Sequence, residues 1–171
     1  MFRFLFNYNM KVLIMAAVLI TVLGFTAAAQ NKYELDGNRL KVEKPITFVG
    51  ATDKLEPASD EALKFIKDYL TDKKYISTMR IEVHFRVGTK DAQLLSEKRA
   101  MAIANWLAKN GIDCKRLIAV GFGTTKPVTN PPQAFENDRI EFHNAALAGH
   151  AIGGMPLDGG GRSAGSVCPS P

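Results

Sequence analysis

The residues of this chain that could do chemistry are arginines and carboxylates set close together, not a nucleophile beside a base. Arg86 closes the run His84-Phe85-Arg86, Asp91 follows it, and Arg99 lies in Leu95-Ser96-Glu97-Lys98-Arg99-Ala100. A second group is Asn137 and Arg139. A planar guanidinium holds a carboxylate by two parallel hydrogen bonds, which an ammonium cannot do. Asn137 is a residue type that caps or turns a loop. Arg139, on a strand, either braces that loop or reaches a ligand. His84 is expected to make a structural hydrogen bond, since a lone histidine is weak evidence for proton chemistry. No glycine-rich loop opens a helix after a strand, and no paired carboxylates have obvious roles, so an enzyme is not expected. Gly159-Gly160-Gly161 has no strand–helix context and is not a phosphate loop. No cofactor is implied. His84, His143 and His150 have no ligand spacing with Cys114 or Cys168, so no metal site is expected either.

Hydrophobic periodicity outlines the elements that must position these residues. Residues 31–43 suggest a lead-in strand or ordered extension. Residues 45–49, β-branched and aromatic, read as a strand. Pro57-Ala58-Ser59-Asp60-Glu61 opens a helix whose Ala62, Phe65, Ile66, Tyr69 and Leu70 recur at helical spacing. Residues 79–85 alternate apolar and polar, which predicts a half-exposed strand. A second helix covers about 93–110, ended by Asn110-Gly111. Strands follow at 116–120 and 137–142, separated by a proline-rich loop. The order β-α-β-α-β-loop-β predicts an α/β sandwich, two helices on one face of a mixed four-stranded sheet, with right-handed crossovers.

The ends differ from this middle. An apolar run at 12–25 follows Lys11 and leads into Ala27-Ala28-Ala29. It is shorter than the roughly 20 residues a membrane span needs and fits a cleaved secretory signal over 1–29. An uncleaved anchor over 4–25 is the other reading, and Met10 is a second candidate start. Removing the signal takes Arg3 and Lys11 with it, and the net charge falls from +5 to +3. That is mild, and no lysine–arginine stripe with interleaved aromatics suggests nucleic acid. Residues 30–44 form an N-terminal extension, 45–148 the domain, and 149–171 a Gly/Pro-rich tail expected to be flexible. Export permits a disulfide between Cys114 and Cys168; two free thiols are the alternative.

Several landmarks in register resemble the OmpA-like C-terminal domain, whose signature reads roughly GHTDxxG…LSxxRA. Ile81-Glu82-Val83-His84 is similar to the strand before the family's ligand loop, and Leu95 to Ala100 to its LSxxRA motif. Val120-Gly121-Phe122-Gly123 with Pro127, then Asn137-Asp138-Arg139-Ile140-Glu141-Phe142, resemble its closing GxG…P and NRRVE segments. The resemblance implies non-covalent association with peptidoglycan in the periplasm or at the periphery of the outer membrane. The diamino acid of the stem peptide would be held by a carboxylate on its ammonium and an arginine, here Arg99, on its carboxylate. Arg86 falls where the family has the aspartate. Three readings follow: another carboxylate serves, Asp91 being nearest in sequence; Arg86 and Arg99 form a doubly cationic pocket for a different anion; or the site is lost, leaving a scaffold for envelope proteins.

Overall fold

A computed structural model of the protein describes residues 31–153 and 159–169. The signal at 1–29 lies outside the described residues. The unit described below begins at Tyr33. Its elements in chain order are β1 (Leu35–Asp36), β2 (Arg39–Leu40), α1 (Asp60–Asp72), β3 (Ile76–His84), α2 (Ala92–Lys109), β4 (Leu117–Gly123), β5 (Arg139–Leu147), β6 (His150–Ala151) and β7 (Arg162–Ser163). The sheet runs β1-β2-β5-β3-β4-β7, with β6 paired to β5. β3 and β4 are parallel; every other pairing is antiparallel. The expected α/β architecture with a mixed sheet is present, its main part being β3, β4 and β5. No described helix is long and apolar enough to cross a membrane.

The amphipathic faces read from the sequence form the core. Leu63, Ile66 and Leu70 of α1 and Ile103 and Leu107 of α2 are fully buried, in one cluster with Met79, Ile81 and Val83 of β3. The Leu95-to-Ala100 motif contributes small side chains where α2 meets β4. Ser96 and Ala100 are fully buried, and Ser96 Oγ accepts the Gly123 N–H at 3.0 Å. A Cβ on Gly121 would lie 2.5 Å from Glu97 N and from Ser96 Oγ, so only glycine lets the helix come this close. α1 is tied to the sheet by Arg116, which donates to the carbonyls of Leu70 (2.9 Å) and Ile76 (2.8 and 3.1 Å). These carbonyls lie at the end of α1 and the start of β3, so one guanidinium fixes the connection. Arg116→Ala should therefore lower stability by about 2 kcal/mol in urea unfolding, the order expected when charge-assisted bonds to carbonyls are lost.

Three expectations need correction. Residues 45–49 form no sheet strand; only Phe48 bridges to Leu55. The backbone N–H and C=O of Thr47 both bond the Ser59 hydroxyl at 2.9 Å, and Val49 N–H reaches Lys54 O, so the segment pairs with the turn ahead of α1. The place beside β5 goes instead to β2, with β1 outside it. The 149–171 segment is not a loose tail over its described residues. β7 pairs with β4, Ala164 N–H donates to Ala119 O, and Cys168 is disulfide-bonded to Cys114. Backbone pairing and a covalent clip order this segment without apolar density. The polar side of β3 is not wet: Arg80, Glu82 and His84 are buried at 8%, 1% and 1% exposure. They face polar residues of β5 in the register Arg80↔His143, Glu82↔Glu141 and His84↔Arg139.

Candidate functional site

The C-terminal end of β3, the start of β5, the 42–48 segment and one side chain of α2 enclose a half-open cavity of about 300 Å³. Ile46, Phe48 and Phe85 supply apolar wall, while Arg99, Asp138, Arg139 and His84 supply polar groups. Arg99 reaches in from α2. Its Nε donates to Thr52 O at 2.9 Å and its Nη2 to Gly50 O at 2.6 Å. That uses one edge of the guanidinium; its other end, Nη1 and the second Nη2 hydrogen, has no hydrogen-bond partner among the described residues. The plane also lies over the Phe48 and Phe85 rings, at 4.5 and 5.2 Å from their centroids. Burial lowers its pKa, while the Asp138 and Asp53 carboxylates push the other way. It is a held, partly desolvated cation, the state in which a guanidinium binds a carboxylate most strongly.

Asp138 is the one carboxylate among the lining residues. Its Oδ1 accepts the Arg86 backbone N–H at 2.7 Å, which fixes the carboxylate at the cavity mouth. Arg86 itself does not line the cavity. Its guanidinium lies 3.9 Å over the exposed Phe135 ring, with Nε 3.6 Å from Asp138 Oδ2. Asp91 lies apart, in a separate depression with Ala51, Lys90 and Lys98, and its backbone is left-handed at φ 50°. Asn137 is fully buried and holds the 128–132 loop: its Oδ1 accepts from Val128 and Thr129 N–H, and its Nδ2 donates to Thr129 and Pro132 O. Arg139 lines the cavity but is engaged with Glu141 Oε1 at 2.9 Å and Lys126 O at 3.1 Å. The structure thus brings Arg99 and Arg139 to the cavity, puts Arg86 on its rim, and leaves Asp91 and Asn137 outside.

Sequence reasoning missed Asp138. A signal was available: where the closing motif of the family reads NRR, this chain reads Asn137-Asp138-Arg139. An arginine has become an acid here, and an acid has become Arg86. The two departures have opposite sign and touch.

Beneath the cavity lies an ionic network on the face of the sheet away from the helices. Glu82 pairs with Arg80 and, at 3.2 Å, with His84 Nε2; Glu141 pairs with Arg139, with Arg39 at 3.0 Å and with His143 Nε2 at 3.0 Å. His84 stacks on Phe122 at 4.6 Å. Burial alone would raise both carboxyl pKa values, but bonds from the histidines and arginines reverse it: Glu82 is lowered, and Glu141 falls far below the carboxylate range. Burial lowers the His84 pKa. Ligand atoms of Glu82, Glu141 and His143 lie within 4.8 Å of one another. Arg80, Arg39 and Arg139 already bond these two carboxylates, so a divalent cation would have to displace them.

These features define a two-layer α/β domain with a small charged cavity at the end of its central strands. The chain belongs to the OmpA family, whose model matches residues 47–140. Among solved structures it is similar to the OmpA-like domain of FopA1 from Francisella tularensis subsp. tularensis SCHU S4, at 23% identity and a TM-score of 0.52, covering 64% of this chain and 75% of that one. A putative MotB-like protein from Desulfovibrio vulgaris matches at 21% identity and a TM-score of 0.53, covering 80% and 90%. These likenesses show the fold. A 59-residue stretch is 41% identical to photosystem I P700 chlorophyll a apoprotein A2 of Gloeobacter violaceus, but it spans only 7% of that protein.

Proposed function

We propose that this protein binds rather than catalyses, and that it associates non-covalently with peptidoglycan in the periplasm or at the periphery of the outer membrane, exported by a signal at 1–29. OmpA-like domains typically associate with peptidoglycan, and the cavity suits the diamino acid of the wall's stem peptide. The free end of the Arg99 guanidinium takes the ligand's carboxylate. Asp138, carried on the other wall, takes its ammonium. Ile46, Phe48 and Phe85 cover the methylene chain between the two charges. The observation that supports this reading is the pairing of Arg99 with a single lining carboxylate in one cavity. An anion-only site would have no use for Asp138, which would repel it.

Calorimetric titration with a soluble stem tripeptide ending in diaminopimelate tests the reading. Saturable binding is expected, and Arg99→Lys should weaken it at least tenfold, because the ammonium cannot reproduce the forked contact. Equal affinity of the lysine variant would remove Arg99 from the account.

A further inference from the structure

Arg86 is held firmly at the cavity rim, yet its guanidinium is unspent. The backbone on either side is pinned: Phe85 N–H donates to Gly123 O at 2.7 Å and Val87 N–H to Pro132 O at 3.0 Å. The Arg86 N–H itself bonds Asp138 Oδ1. At the other end of the side chain the guanidinium lies over the Phe135 ring, which is 75% exposed. Both ends are therefore fixed. Even so, no guanidinium N–H of Arg86 makes a hydrogen bond among the described residues, and Nε stops 3.6 Å from Asp138 Oδ2, beyond bonding distance. A guanidinium whose whole task was to neutralise Asp138 would close that gap, because the forked, bonded pair is the strong one.

The chemistry of a diamino acid supplies what this cation lacks. Such a ligand carries two carboxylates. Arg99 takes the one separated from the ammonium by the methylene chain. The other sits on the same carbon as the ammonium. With the ammonium on Asp138, that second carboxylate is drawn beside the Asp138 carboxylate, and two anions so close repel. A cation next to Asp138 removes the repulsion and can bond the incoming group. Arg139 is engaged with Glu141 Oε1 and Lys126 O. Arg86 is adjacent, oriented and unbonded. We propose that Arg86 is a specificity-determining residue: it binds the carboxylate on the ammonium-bearing carbon. The site then takes a chain that ends in a free amino-acid head, and rejects one that ends in a bare ammonium or in a carboxamide. This rests on the reading of the cavity as a diamino-acid site and narrows the ligand that it accepts.

Calorimetry with tripeptides that differ only at the last residue tests the assignment. One ends in diaminopimelate with its side-chain carboxylate free, one in the same residue with that group as the carboxamide, and one in lysine, which lacks the group. Wild type should bind the free acid roughly tenfold or more tightly than either of the others, because a site built to bond a group discriminates against the analogue without it. Arg86→Gln should lower affinity for the free acid to that for the carboxamide, and leave affinity for the carboxamide and lysine peptides unchanged. An equal loss with all the peptides would make Arg86 a prop for Asp138 and overturn the proposal. Wild-type protein that binds the peptides equally, or a preference that survives in Arg86→Gln, would overturn it too and spare the cavity. Binding of none of them by wild type would overturn the reading of the cavity and the proposal with it.

Discussion

Asp138→Asn should weaken binding of the diaminopimelate tripeptide about thirtyfold, and Arg86→Asp combined with Asp138→Arg should restore most of it. The asparagine keeps an oxygen for the Arg86 N–H, so the loop stays in place while the charge is lost. A hydrogen bond to a charged group contributes roughly 1.5–3 kcal/mol, or ten- to over a hundredfold in affinity. The double exchange puts an acid at 86 opposite an arginine at 138 and keeps one carboxylate and one guanidinium at the mouth. Arg86→Asp alone places two carboxylates side by side and should not match it, because like charges at this separation repel. Calorimetry on wild type, Arg86→Asp, Asp138→Arg and the double exchange forms a closed cycle. If Asp138→Asn binds as tightly as wild type, the ammonium is held elsewhere and the assignment of Asp138 is wrong.

Glu141→Ala should destabilise the fold by about 2 kcal/mol, the order expected when charge-assisted hydrogen bonds in a partly buried network are lost. The reason is geometric. Glu141 joins Arg139, Arg39 and His143 at 2.9–3.0 Å, and His84 lies at 3.8 Å. Without it Arg139 on β5 loses its carboxylate, and Arg39 on β2 is left with Asp36. The same network sets the response to acid. Glu82, Glu141 and His84 all have folded pKa values below their ordinary ones, so each takes up a proton more readily when unfolded. Stability is complete above His84's ordinary value of 6.5 and falls below it; a second loss begins below the carboxylate value of 4.5. Urea midpoints from pH 8 to pH 3 should decline in that order, and Glu141→Ala should flatten the lower step. A midpoint that rises on acidification, or an alanine variant as stable as wild type, would contradict this account of the network.

What the sequence made legible follows from range. α1, α2, β3, β4 and β5 announce themselves through local periodicity, and each lies within a few residues of its predicted position. Arg99 was legible because its motif is contiguous and its small neighbours Ser96 and Ala100 are what close packing on Gly121 requires. Residues 45–49 were misread because Ile46 and Phe48 pack on the core from a loop, and composition reports burial rather than sheet pairing. The polar alternation of β3 suggests a wet face, since nothing local shows that β5 would set His143, Glu141 and Arg139 beside Arg80, Glu82 and His84. The contact between Arg86 and Asp138 crosses 52 positions, beyond any local pattern. β7 depends on a partner strand and on a cysteine 54 positions earlier, which composition could not reveal.

The most direct test of the central claim is co-sedimentation of the protein with purified sacculi at physiological salt. The account predicts that wild type pellets with the sacculi, that free diaminopimelate tripeptide competes it off, and that Arg99→Ala leaves most of the protein in the supernatant. Wild-type protein that stays in the supernatant, or pelleting that Arg99→Ala and the competing tripeptide leave unchanged, would contradict it.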